Sequence, residues 1–517
     1  MALKQFSSIA HIPELKIDYI AKTSVLTTII LTNTKMKRHI LNFMAFLIVI
    51  SLMAQESKKD YKDAFKLAAV WLDAQKDFDQ LPGISIAVVE DQELLWTAAF
   101  GVANREDAIK MQPNTLCSIC SISKLFTSVA IMKLYDEGKI RLDDKVADIL
   151  PSYTLTQKFN ESGPVTIRTL LTHSSGLPRE ADYPYWTAPD FPFPSKDQIN
   201  ERLSRQETLY PASTYFQYSN LGLTLLGQIV EVVSGIPYDD YVLQNILDPL
   251  GLKDTRPNMP KALYGKQLAK GYGAITRKSE RENIALFQAN GITPAAGFSS
   301  NVIDLANFAS WQFRLRSQVA AEILKPSTLK YMQQVHWTNP DWKTTWGLGF
   351  SVYKGGNGNT WVGHGGSCPG YRSTMQLDLK TKMAYAVMIN AGGTNPASYA
   401  RGIQAILDKV KPPSKKKDGA IDIAAVKFDD YTGYYSIQPW WSEVYIGVWG
   451  DKLVTLNLPS RSPGEAMTMY EHIEGDTFRR IRDDNEMGET MVFKRNAAGK
   501  VNAYISHTNS YKKIDLN

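Results

Sequence analysis

Ser121 and Lys124 lie three residues apart in Cys120-Ser121-Ile122-Ser123-Lys124-Leu125-Phe126-Thr127. On a helix that spacing sets hydroxyl and amine on one face. A serine hydroxyl is a weak nucleophile until a neighbouring base takes its proton. Lysine can be that base only where burial and nearby positive charge bring its pKa down from about 10.4 toward neutrality. The apolar positions Leu125, Phe126, Val129, Ile131, Met132 and Leu134 predict a buried helix that stops at Gly138, which gives the amine a dry setting. Four loosely specified positions recur by chance, so the pair gains weight only from motifs further along the chain.

Two such constellations occur downstream, in a definite order. Tyr218-Ser219-Asn220 precedes an apolar run from Leu221 to Val230. The phenol can relay a proton between nucleophile, lysine and leaving group, and the Asn220 amide can hold a substrate carbonyl while orienting Lys124. Gly363-His364-Gly365-Gly366-Ser367 lies between the strand-like segments Asn359–Val362 and Tyr371–Leu379. Its glycines would let a strand backbone come close to a bound substrate, and the N–H groups of Ser367 and Ser121 would form an oxyanion hole. Each motif alone has a plain structural reading, a turn tyrosine with an N-capping Asn and a glycine-rich hairpin. All three in this order point to acyl transfer through serine.

Competing chemistries find little. There is no Gly-x-Ser-x-Gly elbow and no His-Glu-x-x-His, and the 7 histidines are scattered, which argues against an α/β-hydrolase and a zinc protease. Of the 3 cysteines, Cys117 and Cys120 form one C-x-x-C that lacks a second pair; small buried residues near the site are the better reading, with a disulfide to Cys368 left open for an oxidising compartment. Nothing cradles phosphate, and no basic aromatic stripe suggests nucleic acid.

With these motifs the chain resembles the penicillin-recognising serine hydrolases, nearest to class C β-lactamases and their relatives, the D-aminopeptidases, D,D-carboxypeptidases and β-lactamase-fold esterases. The phrases Leu134-Tyr135-Asp136-Glu137-Gly138-Lys139-Ile140-Arg141-Leu142-Asp143-Asp144, Ile167-Arg168-Thr169-Leu170-Leu171-Thr172-His173-Ser174-Ser175-Gly176-Leu177-Pro178 and Pro294-Ala295-Ala296-Gly297-Phe298-Ser299-Ser300 carry the likeness further, from about residue 60 to 410. The resemblance implies that Ser121 is the acylated nucleophile, that Lys124 and Tyr218 share general acid/base work, and that Asn220 positions the acyl group. It places His364, Gly365, Gly366 and Ser367 along the substrate and calls for no metal or cofactor. Two departures stand out. Cys117 and Cys120 occupy positions where relatives often have an aromatic and a glycine or alanine. His364 replaces a lysine whose fixed charge meets the carboxylate of a β-lactam or peptide; histidine is mostly neutral at pH 7 unless a carboxylate raises it. No carboxylate can be assigned to deacylation.

The expected activity is therefore a serine hydrolase or acyltransferase working through acyl-Ser121 on small-acyl esters or amides, with water, an alcohol or an amine as acceptor, a sterol-like alcohol among them. The alternatives are a β-lactamase or D-amino-acid peptidase acting on wall fragments, and a slowly deacylating penicillin-binding receptor.

The elements that must position these residues can be read along the 517-residue chain, whose 44% hydrophobic and 21% charged content is ordinary for a large soluble enzyme. Met36-Lys37-Arg38-His39, the apolar stretch Ile40–Met53 and Ala54-Gln55 read as a secretory signal peptide (36–54), with 1–35 an upstream extension. A periplasmic or secreted location is implied, with a membrane met only through the signal. Of the 58 Lys/Arg and 52 Asp/Glu, residues 1–54 carry six and two, so the remainder holds 52 and 50 and no polyanionic partner is implied. Next come an amphipathic helix from Tyr61 to about Phe78, a hairpin of Ile84–Val89 and Leu94–Phe100, three strands between 346 and 391, and a helix from Pro396 to about Val410. This pattern predicts an α/β sandwich of β-lactamase/transpeptidase type over 60–410, an antiparallel sheet flanked by helices with a helical insertion. A Pro- and Lys-rich linker, 411–419, leads to 420–517, where Val444–Val448, Lys452–Leu456, Thr477–Ile481 and Met491–Lys494 predict a small all-β, barrel-like domain. The loop Asp182–Pro194, five aromatics among four prolines, is either a wall for an apolar pocket or a loop folded on its own side chains.

Overall fold

The computed structural model describes residues 59–411 and 427–516. The expected upstream extension and signal peptide, and nearly all of the linker, lie outside the described residues.

Helix α1 (Lys62–Phe78) buries Ala64, Leu67, Ala68, Trp71, Leu72 and Gln75, spaced along one face. Strands β1 (Gly83–Glu90) and β2 (Glu93–Asn104) form the expected hairpin, turning at Asp91 with φ +54°. Along β1, Ile84, Ile86 and Val88 enter one core while Ala87 and Val89 enter another. Two apolar faces make β1 a central strand. After β3 (Ile109–Lys110) the sheet gains β4 (Trp337–Thr338), β5 (Thr345–Trp346), β6 (Ser351–Lys354), β7 (Thr360–Cys368), β8 (Tyr371–Asp378) and β9 (Met383–Ile389). The nine strands run antiparallel in the order β3-β2-β1-β9-β8-β7-β6-β5-β4. Three of the strands between 346 and 391 were expected; β4 to β6 are too short for an alternating pattern to register in the sequence.

Helix α2 (Ser123–Asp136) packs on α3 (Asn220–Ser234), and α4 (Val302–Ser317) lies on β1 and β9. Phe126 of α2 stacks against Phe298 at 5.3 Å and Phe308 at 4.5 Å. Helix α2 ends as expected: Gly138, at φ +73°, donates its N–H to the Tyr135 carbonyl, and Lys139 donates to Leu134. These two bonds close a left-handed cap. Helix α5 (Pro396–Leu407) joins α1 on the other face of the sheet.

The C-terminal domain is a closed eight-stranded barrel whose neighbours follow chain order: β10 (Gly433–Ser436), β11 (Glu443–Trp449), β12 (Lys452–Leu458), β13 (Met467–Glu474), β14 (Thr477–Ile481), β15 (Met487–Arg495), β16 (Val501–Ser506) and β17 (Asn509–Ile514). Among the described residues, 61–410 and 427–516 form one compact unit. Outward-facing Val454, Leu456 and Leu458 of β12 share a core with α1 and α5, and the Trp71 indole donates to the Ser460 carbonyl at 2.8 Å.

The aromatic-proline loop packs largely on its own side chains. Tyr185, Phe191 and Phe193 are buried, with Phe193 5.0 Å from Tyr185 and Trp186 and 5.4 Å from Phe287. Packing the rings on one another removes more apolar surface from water than displaying them.

Candidate active site

Ser121 occupies a short 3-10 turn, Cys120–Ile122, that leads directly into α2. Cys120 just before it takes φ +52°, a left-handed conformation that few non-glycine residues adopt. The turn rests on β7. A Cβ on Gly366 would fall 2.1 Å from Ser373 Oγ and 2.3 Å from the Ile119 carbonyl oxygen, so only glycine allows strand and turn this close. Ser373 Oγ in turn donates to the Ile119 carbonyl at 2.9 Å. Gly365 and Ser367, on the alternate face of β7, are exposed, whereas His364 and Gly366 point inward.

Lys124 is completely buried in the first turn of α2. Its amine stands 3.2 Å from Ser121 Oγ and donates to Asn220 Oδ1 and to the Ala295 carbonyl, both at 2.7 Å. Burial brings its pKa down to about 7, against the pull of Cys368 and Glu180. Near neutrality about half of such amines have a free lone pair.

Asn220 reaches the lysine because Ser219, not Asn220, caps α3. The Ser219 hydroxyl accepts from the Gly222 N–H at 2.9 Å, and its backbone N–H donates to His173 Nδ1 at 3.1 Å. The Asn220 amide nitrogen donates to both oxygens of Glu180 at 2.9 Å, which fixes its oxygen toward Lys124. Glu180 also accepts from the Tyr185 hydroxyl and pairs with Arg179 at 3.1 Å. The buried aromatic loop thus props the carboxylate that orients Asn220.

The Tyr218 ring lies 4.9 Å from Lys124 Nζ and 4.9 Å from the Arg179 guanidinium, with the His173 ring at 4.3 Å. Burial raises its pKa despite a hydrogen bond with Ser121, so at neutral pH it is a phenol with a proton to give. His364 is buried 6.1 Å from Tyr218 and 5.5 Å from Trp346, ring to ring. Its Nδ1 donates to the Gly365 carbonyl at 2.6 Å, leaving Nε2 buried and without a partner among the described residues. Burial and the neighbouring Lys124 push its pKa down to about 3, so the imidazole is neutral and contributes no fixed positive charge.

The three cysteines are free thiols, all buried. Ser118 Oγ lies 3.6 Å from Cys120 Sγ and 3.8 Å from Cys368 Sγ.

The structure thus gathers Ser121, Lys124, Tyr218, Asn220 and His364 around one point, with Gly365, Gly366 and Ser367 alongside on β7. Sequence reasoning missed Glu180, Arg179, His173, Trp346 and the Ala295 carbonyl. His173 and Ala295 stand inside the phrases that carried the family likeness, but nothing local assigns them a partner.

The Beta-lactamase family model matches residues 71–408. The chain belongs to that family. It is a serine hydrolase with the fold of class C β-lactamases and penicillin-binding proteins. Among curated relatives, Beta-lactamase-like protein 2 of Dictyostelium discoideum is 29% identical over 59% of this chain and 55% of its own length. A putative D-alanyl-D-alanine carboxypeptidase of Escherichia coli K12 is 27% identical over 56% of this chain and 71% of its own length. Among solved structures, the octameric penicillin-binding protein homologue from Pyrococcus abyssi superposes with a TM-score of 0.59 at 26% identity, over 87% of this chain and all of that one. That match spans more than residues 71–408 alone.

Proposed function

We propose that this family member cleaves amide bonds of D-amino-acid peptides, and opens β-lactams, through an acyl-Ser121 intermediate, in the periplasm or outside the cell. The observation that carries the reading is a buried lysine, poised near neutrality, 3.2 Å from a serine hydroxyl. Lys124 takes the Ser121 proton as Oγ attacks the carbonyl carbon. The backbone N–H groups of Ser121 and Ser367 stabilise the oxyanion, and Asn220 holds the acyl group. The Tyr218 phenol passes its proton to the departing nitrogen and is reprotonated from Lys124. Water then repeats the sequence on the ester.

The relatives named as carboxypeptidases and penicillin-binding proteins support this reading over small-ester cleavage or acyl transfer to a sterol-like alcohol. A free substrate carboxylate still needs a cation that neutral His364 does not provide. Arg372 fits: it pairs across the sheet with exposed Ser367, and its Nε is buried without a hydrogen-bond partner among the described residues.

The test is labelling with a fluorescent penicillin, followed by turnover of a D-alanyl-D-alanine peptide and its C-terminal amide. One label on Ser121, faster cleavage of the free acid, and loss of that preference in Arg372→Gln are expected. Rapid cleavage of a short-chain aryl ester with neither labelling nor peptide turnover would overturn the reading.

A further inference from the structure

The barrel interior carries both apolar and polar side chains. Ile446, Leu453, Phe478 and Phe493 fill part of it. Polar side chains share the inner face with them. Thr455 is the cross-strand neighbour of inward Ile446, Asn457 of Val444 and Ser506 of Met491, so all three share the inner face. Thr468 pairs with Thr455. A cavity of about 210 Å³ opens here, lined also by the rings of Tyr470, Tyr504, Tyr511, Trp440 and Trp441 and by the aliphatic Ile437, Val444 and Met491. Among the described residues no Asp, Glu, Lys, Arg or His lines it, although these types make up much of the barrel surface. Thr455 donates a long 3.5 Å bond to the Thr468 carbonyl and also bonds the Tyr470 hydroxyl. At the rim, on the β10–β11 loop, Trp440 is 78% and Trp441 53% exposed. Two indoles so open to water in a folded domain are costly to leave uncovered.

The chemistry narrows the ligand. A charged group would find no counter-ion and would have to shed water unpaired. A long acyl chain would meet the filled part of the barrel. A ring with hydroxyls on its edge and C–H bonds on its faces meets both parts of the site, its edge on Thr455, Asn457, Thr468 and Ser506, its face on an indole. The volume is below the roughly 300 Å³ of a drug-sized pocket, room for one such ring. Eight-stranded barrels are wide enough at the mouth to hold one small ligand.

We propose that the barrel mouth binds a neutral saccharide, one pyranose ring seated between the rim tryptophans and the polar inner positions. The site is separate from Ser121, because the barrel packs on the α1 and α5 side of the sheet. It would hold the enzyme on a glycan without taking part in bond cleavage, and the inference does not rest on the peptidase reading.

The full chain is titrated with glucose, N-acetylglucosamine and a short N-acetylglucosamine oligomer, using calorimetry and saturation-transfer NMR. Saturable, weak monosaccharide binding and tighter oligomer binding are expected, with at least about tenfold loss in Trp440→Ala and in the shape-conserving Thr455→Val. Circular dichroism and melting temperature stay unchanged in both variants, which shows them folded. No saturable binding by any of the three sugars would overturn the proposal. So would binding that both variants leave intact, or a cavity that takes a fatty acid and no sugar.

Discussion

At the level of single residues, Lys124 determines what pH does to this protein. A pKa near 7 means that the acylation rate should climb with pH through a limb centred there, as the free amine accumulates. Lys124→Arg keeps the charge but stays protonated throughout, and should lose about three orders of magnitude or more in acylation. Stopped-flow acylation by a chromogenic cephalosporin checks both. The same shift acts on stability. Between about pH 7 and 10.4 the unfolded chain binds a proton at this lysine that the folded chain does not, so stability rises with pH across that window, by up to roughly 1.4 kcal/mol per unit. Below about 7 the full cost is present. Lys124→Met should therefore be more stable than the parent at pH 6 and lose that advantage toward pH 10, measured as paired denaturant midpoints. The lysine and its serine were legible in the sequence because both lie on one helical turn. Glu180 was not, because its role depends on Asn220 and Tyr185 arriving from other segments.

For the elements, the decisive contact is that of β7 with the nucleophile turn. Gly366→Ala places a methyl within 2.3 Å of two oxygens, one of them the Ile119 backbone carbonyl. Overpacking of this kind costs about 1–3 kcal/mol, and here the strain falls one residue from Cys120 and two from Ser121. Acylation should drop more than stability, by a factor of about 100, while Gly365→Ala, whose Cβ has only one neighbour at 3.8 Å, should leave the fold intact. Comparing melting curves with labelling rates for the two variants separates the effects. Long elements were readable from their periodicity: α1, the β1–β2 hairpin and α5 begin and end within a few residues of expectation. The short edge strands and the left-handed turn at Cys120 were not, since each is fixed by neighbours distant in sequence, and for the Asp182–Pro194 loop the sequence left two readings open, of which packing on its own rings is the one observed.

Across the whole molecule, barrel and catalytic region are joined by a shared apolar core in which Val454, Leu456 and Leu458 cover Trp71, Ile403 and Ile406. A chain ended after Val410 should expose this surface, melt at lower temperature than the parent and self-associate, visible by calorimetry and light scattering. Only four of the eight barrel strands stood out in the sequence, because half-exposed barrel strands carry few apolar residues each. The position of β1 has a consequence in time. Its partners are β2, made at once, and β9, where Ile84 meets Ile389. As the chain emerges from the ribosome, the hairpin must wait with one strand edge open and both faces apolar until nearly all of the catalytic region has been made. Folding of such high contact order is slow, so any product broken off before β9 is left with an adhesive hairpin and no means of closing it.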